Sequence, residues 1–176
     1  MRIARLTPLI SEARIAARLD ELAAGINEVY AGQPLVAVCV LKGAFMFFSD
    51  LVKRLDCRPE LDFVRLASYG QSTCRSESVT FAKDVDLSLE GKHVLIVEDI
   101  VDTGHSMDAL LRRLATRGAL SLRVAALIDK HERREVPVPV HFAGFSLPAG
   151  FIVGYGLDYA EQYRELPALY EAETED

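Results

Sequence analysis

VLIVEDIVDTGHSM, residues 94–107, carries the end of a buried strand and the start of a helix with a short acidic turn between them. The fuller run HVLIVED is apolar without alternation up to Glu98, the pattern of a strand covered on both faces. Three carboxylates, Glu98, Asp99 and Asp102, fall within five residues. Thr103, Gly104, His105 and Ser106 then open SMDALLRRLATRG, which keeps helical spacing to a stop at Gly118. LRVAALID, 122–129, is a second buried strand directly after that helix. Strand, helix, strand in this order predicts a parallel pair joined by a crossover.

The same alternation extends in both directions. Ser11 is placed to cap a helix running to about Tyr30, in which Ala13, Ile15, Leu19, Leu22, Ala23 and Ile26 share a face. PLVAVCVL, 34–41, predicts a strand, Lys42-Gly43 a break, and AFMFFSDLVKRL a helix to Leu55. LDFVRLASY, 61–69, and VTFAKDVDL, 79–87, read as strands around the polar loop GQSTCRSES, 70–78. FAGFSL and FIVGYGLDY, 142–147 and 151–159, read as two late strands, and EAETED as a frayed acidic tail. The expected fold is α/β, a mainly parallel sheet flanked by helices, in one domain over residues 1–176. In such a sheet ligands lie at the carboxyl ends of the strands, where Lys42-Gly43, Glu98 to Ser106 and Asp129-Lys130 all fall.

Composition narrows the partners. Twenty-six acidic against twenty basic residues give a net charge of −6, which disfavours a broad nucleic-acid surface. No run of eighteen apolar residues and no apolar leader core occurs, so neither membrane spanning nor secretion is expected and a cytoplasmic location is the default. Cys39, Cys57 and Cys74 lack metal-type spacing and are odd in number, which favours neither zinc nor a disulfide framework.

The turn at 98–106 poses a chemical conflict. Amides at a helix start attract phosphate, whereas three carboxylates repel it. A sugar phosphate satisfies both, since carboxylates accept hydrogen bonds from sugar hydroxyls and can hold Mg²⁺, while the amides a few residues on hold the phosphate. The strand ending in Glu98-Asp99, then Asp102-Thr103-Gly104 and Ser106, resembles the signature of phosphoribosyltransferases that use 5-phosphoribosyl-1-pyrophosphate. Leu41-Lys42-Gly43, Ser68-Tyr69-Gly70, Asp129-Lys130 and FIVGYGLDYAEQYREL extend the likeness to the hypoxanthine-guanine phosphoribosyltransferases in particular.

That resemblance implies a type I phosphoribosyltransferase fold with a small hood formed by the chain ends. It also implies roles. Glu98 and Asp99 would bind the ribose hydroxyls and approach Mg²⁺, and Asp158 would approach a second Mg²⁺. Asp102 would act at the purine imidazole ring, and Thr103, Gly104, His105 and Ser106 would wrap the 5′-phosphate, His105 through its backbone N–H rather than its side chain. Leu41, Lys42 and Gly43 would meet pyrophosphate across a Leu41–Lys42 bond that is cis in related enzymes, with Arg164 also on pyrophosphate and Ser68 and Tyr69 in a loop, 68–78, that closes over the site. Lys130 would donate to a purine 6-oxygen, Phe151 would stack on the ring, and the carbonyls of Ile152 and Asp158 would read the base edge.

Taken singly, several of these residues have plainer readings. Lys42-Gly43 is a lysine in an ordinary turn, Lys130 a solvated lysine, Phe151 a core aromatic and Arg164 a partner for a surface acid. The implied activity is Mg²⁺-dependent transfer of phosphoribosyl to hypoxanthine or guanine in a homodimer or homotetramer. Two alternatives stand beside it: a regulatory protein of this fold that binds nucleotides and RNA, and a xanthine-preferring enzyme.

Overall fold

The computed structural model of the protein describes residues 2–68, 79–148 and 150–175. Its elements in chain order are β1 (Arg2–Ile10), α1 (Glu12–Tyr30), β2 (Leu35–Leu41), α2 (Phe45–Val52), β3 (Glu60–Ser68), β4 (Val79–Lys83), β5 (His93–Val101), α3 (His105–Ala115), β6 (Ser121–Asp129), β7 (Phe142–Ser146), β8 (Ile152–Val153) and β9 (Leu169–Glu175). Six strands form the main sheet in the order β4-β3-β2-β5-β6-β7. All neighbours in it are parallel except β4, an antiparallel edge strand.

The continuous apolar runs are central strands whose side chains alternate between two cores. Leu35, Ala37 and Cys39 of β2 and Leu95 and Val97 of β5 face α1 and α2, packing with Ile15, Leu19, Phe47 and Leu51. Val36, Val38, Val40, Val94 and Ile96 face the other way, against Met107, Leu110 and Leu114 of α3. Both faces are therefore covered, which is why neither strand can afford a polar residue before its last turn. Chain order runs outward from β2 to β3 in one direction and from β5 through β6 to β7 in the other. The reversal lies between β2 and β5, the point at which open parallel sheets form a crevice beyond the strand ends.

A second sheet, β1-β9-β8, joins the two chain ends. Here the structure corrects the sequence reading. EAETED is no frayed tail: β9 pairs antiparallel with β1, from Arg2 opposite Glu175 to Ile10 opposite Leu169, and with β8 on its other side. FIVGYGLDY is not one strand either. Only Ile152–Val153 is extended, and the chain then turns repeatedly, with left-handed backbone at Tyr155, Ala160, Glu161 and Tyr163. VTFAKDVDL is shorter than expected because Asp62 accepts the Asp86 and Leu87 amides and turns the chain there. Ser11 caps α1 as expected, its hydroxyl accepting from the Arg14 amide. The helix after Ser106 stops at Ala115, short of Gly118. Among the described residues no helix is long and apolar enough to cross a membrane.

Candidate active site

The switch point brings β2 and β5 together, and the contact there is close. The carboxylate of Asp99 lies where a side chain at position 43 would begin, so any residue but glycine there would have to displace it. The Leu41–Lys42 peptide bond is cis. The loop after β2 thus lies directly against Asp99, near the end of β5.

Glu98 is buried and Asp99 half-buried at this junction. Each acid accepts a local amide, Glu98 Oε1 from Asp99 N at 3.1 Å and Asp99 Oδ1 from Ile100 N at 2.8 Å. Burial is the larger cause, and the neighbouring carboxylate the second, of a Glu98 pKa raised well above the usual glutamate range. Burial raises Asp99 as well, opposed by its hydrogen bonds and by Arg164. Two carboxyl groups held this close in an apolar floor resist double ionisation.

Three residues on, the chain turns into α3 around a cavity of about 110 Å³ lined by Glu98, Ile100, Val101, Asp102, Thr103, Gly104, Ser106 and Met107. Gly104 caps α3 with φ of 94°, a backbone that a side chain would strain. The segment after Lys130 braces this turn from outside. Thr103 O accepts the amides of Glu135 and Val136, both at 2.9 Å. The largely buried Arg134 donates to the carbonyls of Val101, Asp102 and Val138 and to the Asp129 carboxylate. His105 does not line the cavity. Its Nε2 lies 3.0 Å from Glu135 Oε2, leaving the backbone as its means of contact with anything inside.

A larger cavity, about 460 Å³, opens beside it and is lined by Asp99, Ile100, Asp102, Lys130, Arg133, Gly150, Phe151, Ile152, Leu157 and Asp158. β6 delivers Lys130, which is buried, with Nζ donating to Gly150 O at 2.7 Å. Burial pulls its pKa below the usual lysine range, against the attraction of Asp102. Asp102 Oδ1 is buried and has no hydrogen-bond partner, while Oδ2 lies 3.3 Å from the Arg133 guanidinium. Phe151 is 44% exposed, meets Tyr159 edge-on and lines the cavity. The cavity combines apolar Ile100, Phe151, Ile152 and Leu157 with a lysine donor and an unpartnered carboxylate acceptor, a lining that suits a heterocycle with polar edges.

Residues 10–160 match the family model described as phosphoribosyl transferase domain. The chain belongs to that family. This member is 45% identical over 163 residues to the hypoxanthine phosphoribosyltransferase of Escherichia coli, the match covering 92% of each chain. It is 43% identical to the hypoxanthine-guanine phosphoribosyltransferase of Bacillus subtilis, over 92% of this chain and 89% of that one. Among solved structures, a hypoxanthine phosphoribosyltransferase from Staphylococcus aureus superposes with a TM-score of 0.91 at 38% identity, covering 97% of this chain and 92% of that chain. The architecture is accordingly the type I phosphoribosyltransferase fold, with β1, β9 and β8 as the hood.

Against that family frame, most residues singled out in the sequence surround the two cavities. Asp99, Asp102, Lys130, Phe151, Ile152 and Asp158 line the larger one, and Glu98, Thr103, Gly104 and Ser106 the smaller. Gly43 abuts Asp99, and Leu41 and Lys42 precede it at the end of β2. Ser68 ends β3, and Tyr69 with the loop to residue 78, including Cys74, lies outside the described residues. Arg164 does pair with acids, Asp158 at 2.7 Å and Glu161 at 3.2 Å, yet its side chain is only 19% exposed and also donates to Gly156 O. Arg133, Arg134, Leu157 and Glu161 escaped the sequence reading. The doubled arginine in DKHERREV, just past a buried strand end, was the available signal for the first two.

Proposed function

We propose that this phosphoribosyltransferase transfers the phosphoribosyl group of 5-phosphoribosyl-1-pyrophosphate to N9 of hypoxanthine or guanine, releasing pyrophosphate, as a single-domain cytoplasmic enzyme of purine salvage. The observation that carries the reading is the presence of a buried lysine donor and the unpartnered carboxylate oxygen of Asp102 in one cavity. A 6-oxopurine stacked on Phe151 presents a 6-oxygen to Lys130 and N7 to Asp102 on adjacent edges. The Ile152 and Asp158 carbonyls then read the far edge of the base. The names of the relatives support the same base class.

In this reading Glu98 and Asp99 accept the ribose hydroxyls. The amides of Thr103, Gly104, His105 and Ser106 and the Ser106 hydroxyl take the 5′-phosphate at the start of α3. Lys42, the Gly43 amide and Arg164 meet pyrophosphate. Asp102 takes the N7 proton as N9 bonds to carbon. Ser68 and Tyr69 contribute from the loop over the donor.

Mg²⁺ fits this donor set. Among the described residues no group of three or more His, Cys, Asp or Glu side chains could hold an ion by itself, and Mg²⁺ is commonly bound by one or two carboxylates plus substrate oxygens and waters. Asp99 and Glu98 on one side and Asp158 on the other are the residues that would hold it, and it would supply charge neutralisation on the leaving pyrophosphate. We assign the working assembly to a homodimer or homotetramer, by kinship with this enzyme class.

The test is direct: incubation with Mg²⁺, the pyrophosphate donor and each base singly, with the nucleotide identified. Hypoxanthine and guanine should yield IMP and GMP. Adenine, which offers Lys130 an amino group instead of an oxygen, should react about 10⁴-fold more slowly. Comparable rates with adenine, or a preference for xanthine, would overturn the assignment.

A further inference from the structure

One carboxylate among these ion pairs, Glu161, has no part in the chemistry above. Glu161 sits between the two walls. Lys42 Nζ, from the loop after β2, lies 3.0 Å from both of its carboxylate oxygens. Arg164 Nη2, from the hood, lies 3.2 Å from Oε2 and 2.7 Å from Asp158 Oδ1. The backbone is shaped to put the carboxylate there. Ala160, Glu161 and Tyr163 all have positive φ, 51°, 65° and 73°, conformations that L-residues with side chains disfavour. The turn is closed by the Glu161 amide donating to Asp158 Oδ2 at 2.8 Å and by the backbone pairing of Tyr159 with Gln162. A flexible exposed acid would need none of this to solvate itself.

We propose that Glu161 competes with pyrophosphate for the Lys42 and Arg164 side chains, so that this one carboxylate weakens pyrophosphate binding and hastens its departure. The inference rests on the reading that Lys42 and Arg164 form the pyrophosphate subsite. An ammonium and a guanidinium offer only donors, and a carboxylate and a phosphate group call on the same ones. Every contact Glu161 makes with the pair is lost to a pyrophosphate oxygen, and its own negative charge repels the ligand as it arrives. Exposed to solvent and flanked by two cations, the Glu161 carboxylate is available to compete at neutral pH. Its exposure keeps the contest mild: an ion pair open to solvent shifts binding by a small factor and is screened by salt. A mild competitor suits a product that must leave at each turnover.

Isothermal titration of the whole protein with inorganic pyrophosphate in Mg²⁺ tests this. Glu161→Gln should tighten pyrophosphate binding about two- to fivefold at low salt. The gain should shrink as salt is raised, and IMP affinity should stay unchanged. In a Lys42→Met background the effect of Glu161→Gln should fall by half or more, because one of the contested donors is gone. Glu161→Ala provides the same test should the glutamine variant fold poorly. Unchanged or weakened pyrophosphate binding in both variants would overturn the proposal, weakening meaning that Glu161 positions the cations instead of competing for them. The subsite reading fails separately, if Lys42→Met and Arg164→Met each bind pyrophosphate as tightly as the parent protein.

Discussion

The floor of the crevice and its hood are built by different physics. Glu98 and Asp99 stand on β5, and Asp102 directly follows it; β5 is hydrogen-bonded to β2 on one side and β6 on the other, with apolar cores on both faces. The position of each floor carboxylate follows from the pleat and the ladder. The hood segment from Gly150 to Leu166 has two residues of strand and several left-handed turns. It is tied down by scattered bonds: Tyr155 N to Leu166 O, Gly156 N to Arg164 O, Arg164 Nη1 to Gly156 O and Tyr155 Oη to Asp50. A sheet fixes position through many weak cooperative bonds, whereas this segment of the hood is held by a two-residue pairing with β9, by buried Ile152, Tyr155 and Leu157, and by a few polar ties that can be cut one at a time. Groups whose task is to hold a reacting atom belong on the floor, and groups that must admit and release ligand belong on the hood.

The sharpest way to break this contrast is at Asp102, where the floor meets the chemistry. Asp102→Asn keeps the shape of a side chain whose Oδ1 is already without a partner, but it cannot accept a proton. Turnover should fall about 10²–10⁴-fold, the range of general acid–base assistance. Donor affinity and melting temperature should change little, because the ladder around residue 102 is untouched. Single-turnover kinetics beside direct donor binding separates the two. Full chemical rate in the variant would remove Asp102 from the proposed proton path, and lost donor binding would place it with Glu98 and Asp99, the acids proposed to hold the ribose.

The same contrast explains what the sequence let one read. β5 and β6 are plain in HVLIVED and LRVAALID because burial on both faces writes itself as an unbroken apolar run. The acids and Thr103-Gly104 follow at the one place such a strand can become polar. The hood hid for the opposite reason. FIVGYGLDY has the aromatic and β-branched residues of a strand, and nothing in Tyr155, Ala160, Glu161 or Tyr163 announces positive φ, since none is glycine or asparagine. EAETED looked like a solvated tail because its partner, β1, lies at the other end of the chain, where no local pattern reports it. Arg134 was missed through the same kind of distance. Its acceptors are the carbonyls of Val101 and Asp102, over thirty positions earlier.

A cut tie should register on the hood before it registers in the chemistry. Tyr155 is buried with its hydroxyl donating to Asp50 Oδ2 at 2.7 Å, a bond that joins the hood to α2. Tyr155→Phe removes only that oxygen. A hydrogen bond to a charged acceptor contributes about 1.5–3 kcal/mol, and the partial exposure of Asp50 and its second partner, Lys53, bring the expectation to about 1–2 kcal/mol. Thermal denaturation should show that loss, and the KM of the donor should rise while the chemical rate in single turnover stays near that of the parent. A fall in chemical rate at saturating donor would mean that the hood also sets floor geometry.

The smallest expected effect is the most specific to the floor. Burial and the adjacent Asp99 carboxylate raise the Glu98 pKa in the folded chain above its unfolded value of about 4.3. In the window between those two values the folded state binds more protons than the unfolded state, so stability falls as pH rises through it and levels off above the folded value. Below the window Glu98 is neutral in both states and contributes no penalty. Glu98→Gln removes the ionisation, so it should stabilise the protein by about 0.5–2 kcal/mol at pH values above the window and leave stability unchanged at acid pH. If Glu98 accepts a ribose hydroxyl as proposed, Glu98→Gln should also weaken donor binding about tenfold, since a neutral amide oxygen replaces a charged acceptor. Melting curves across pH, paired with donor titrations, check both halves. A variant less stable than the parent at neutral pH would show that the ionised acid pair supports the floor, and that the strain between Glu98 and Asp99 is not a cost the fold carries for the sake of binding.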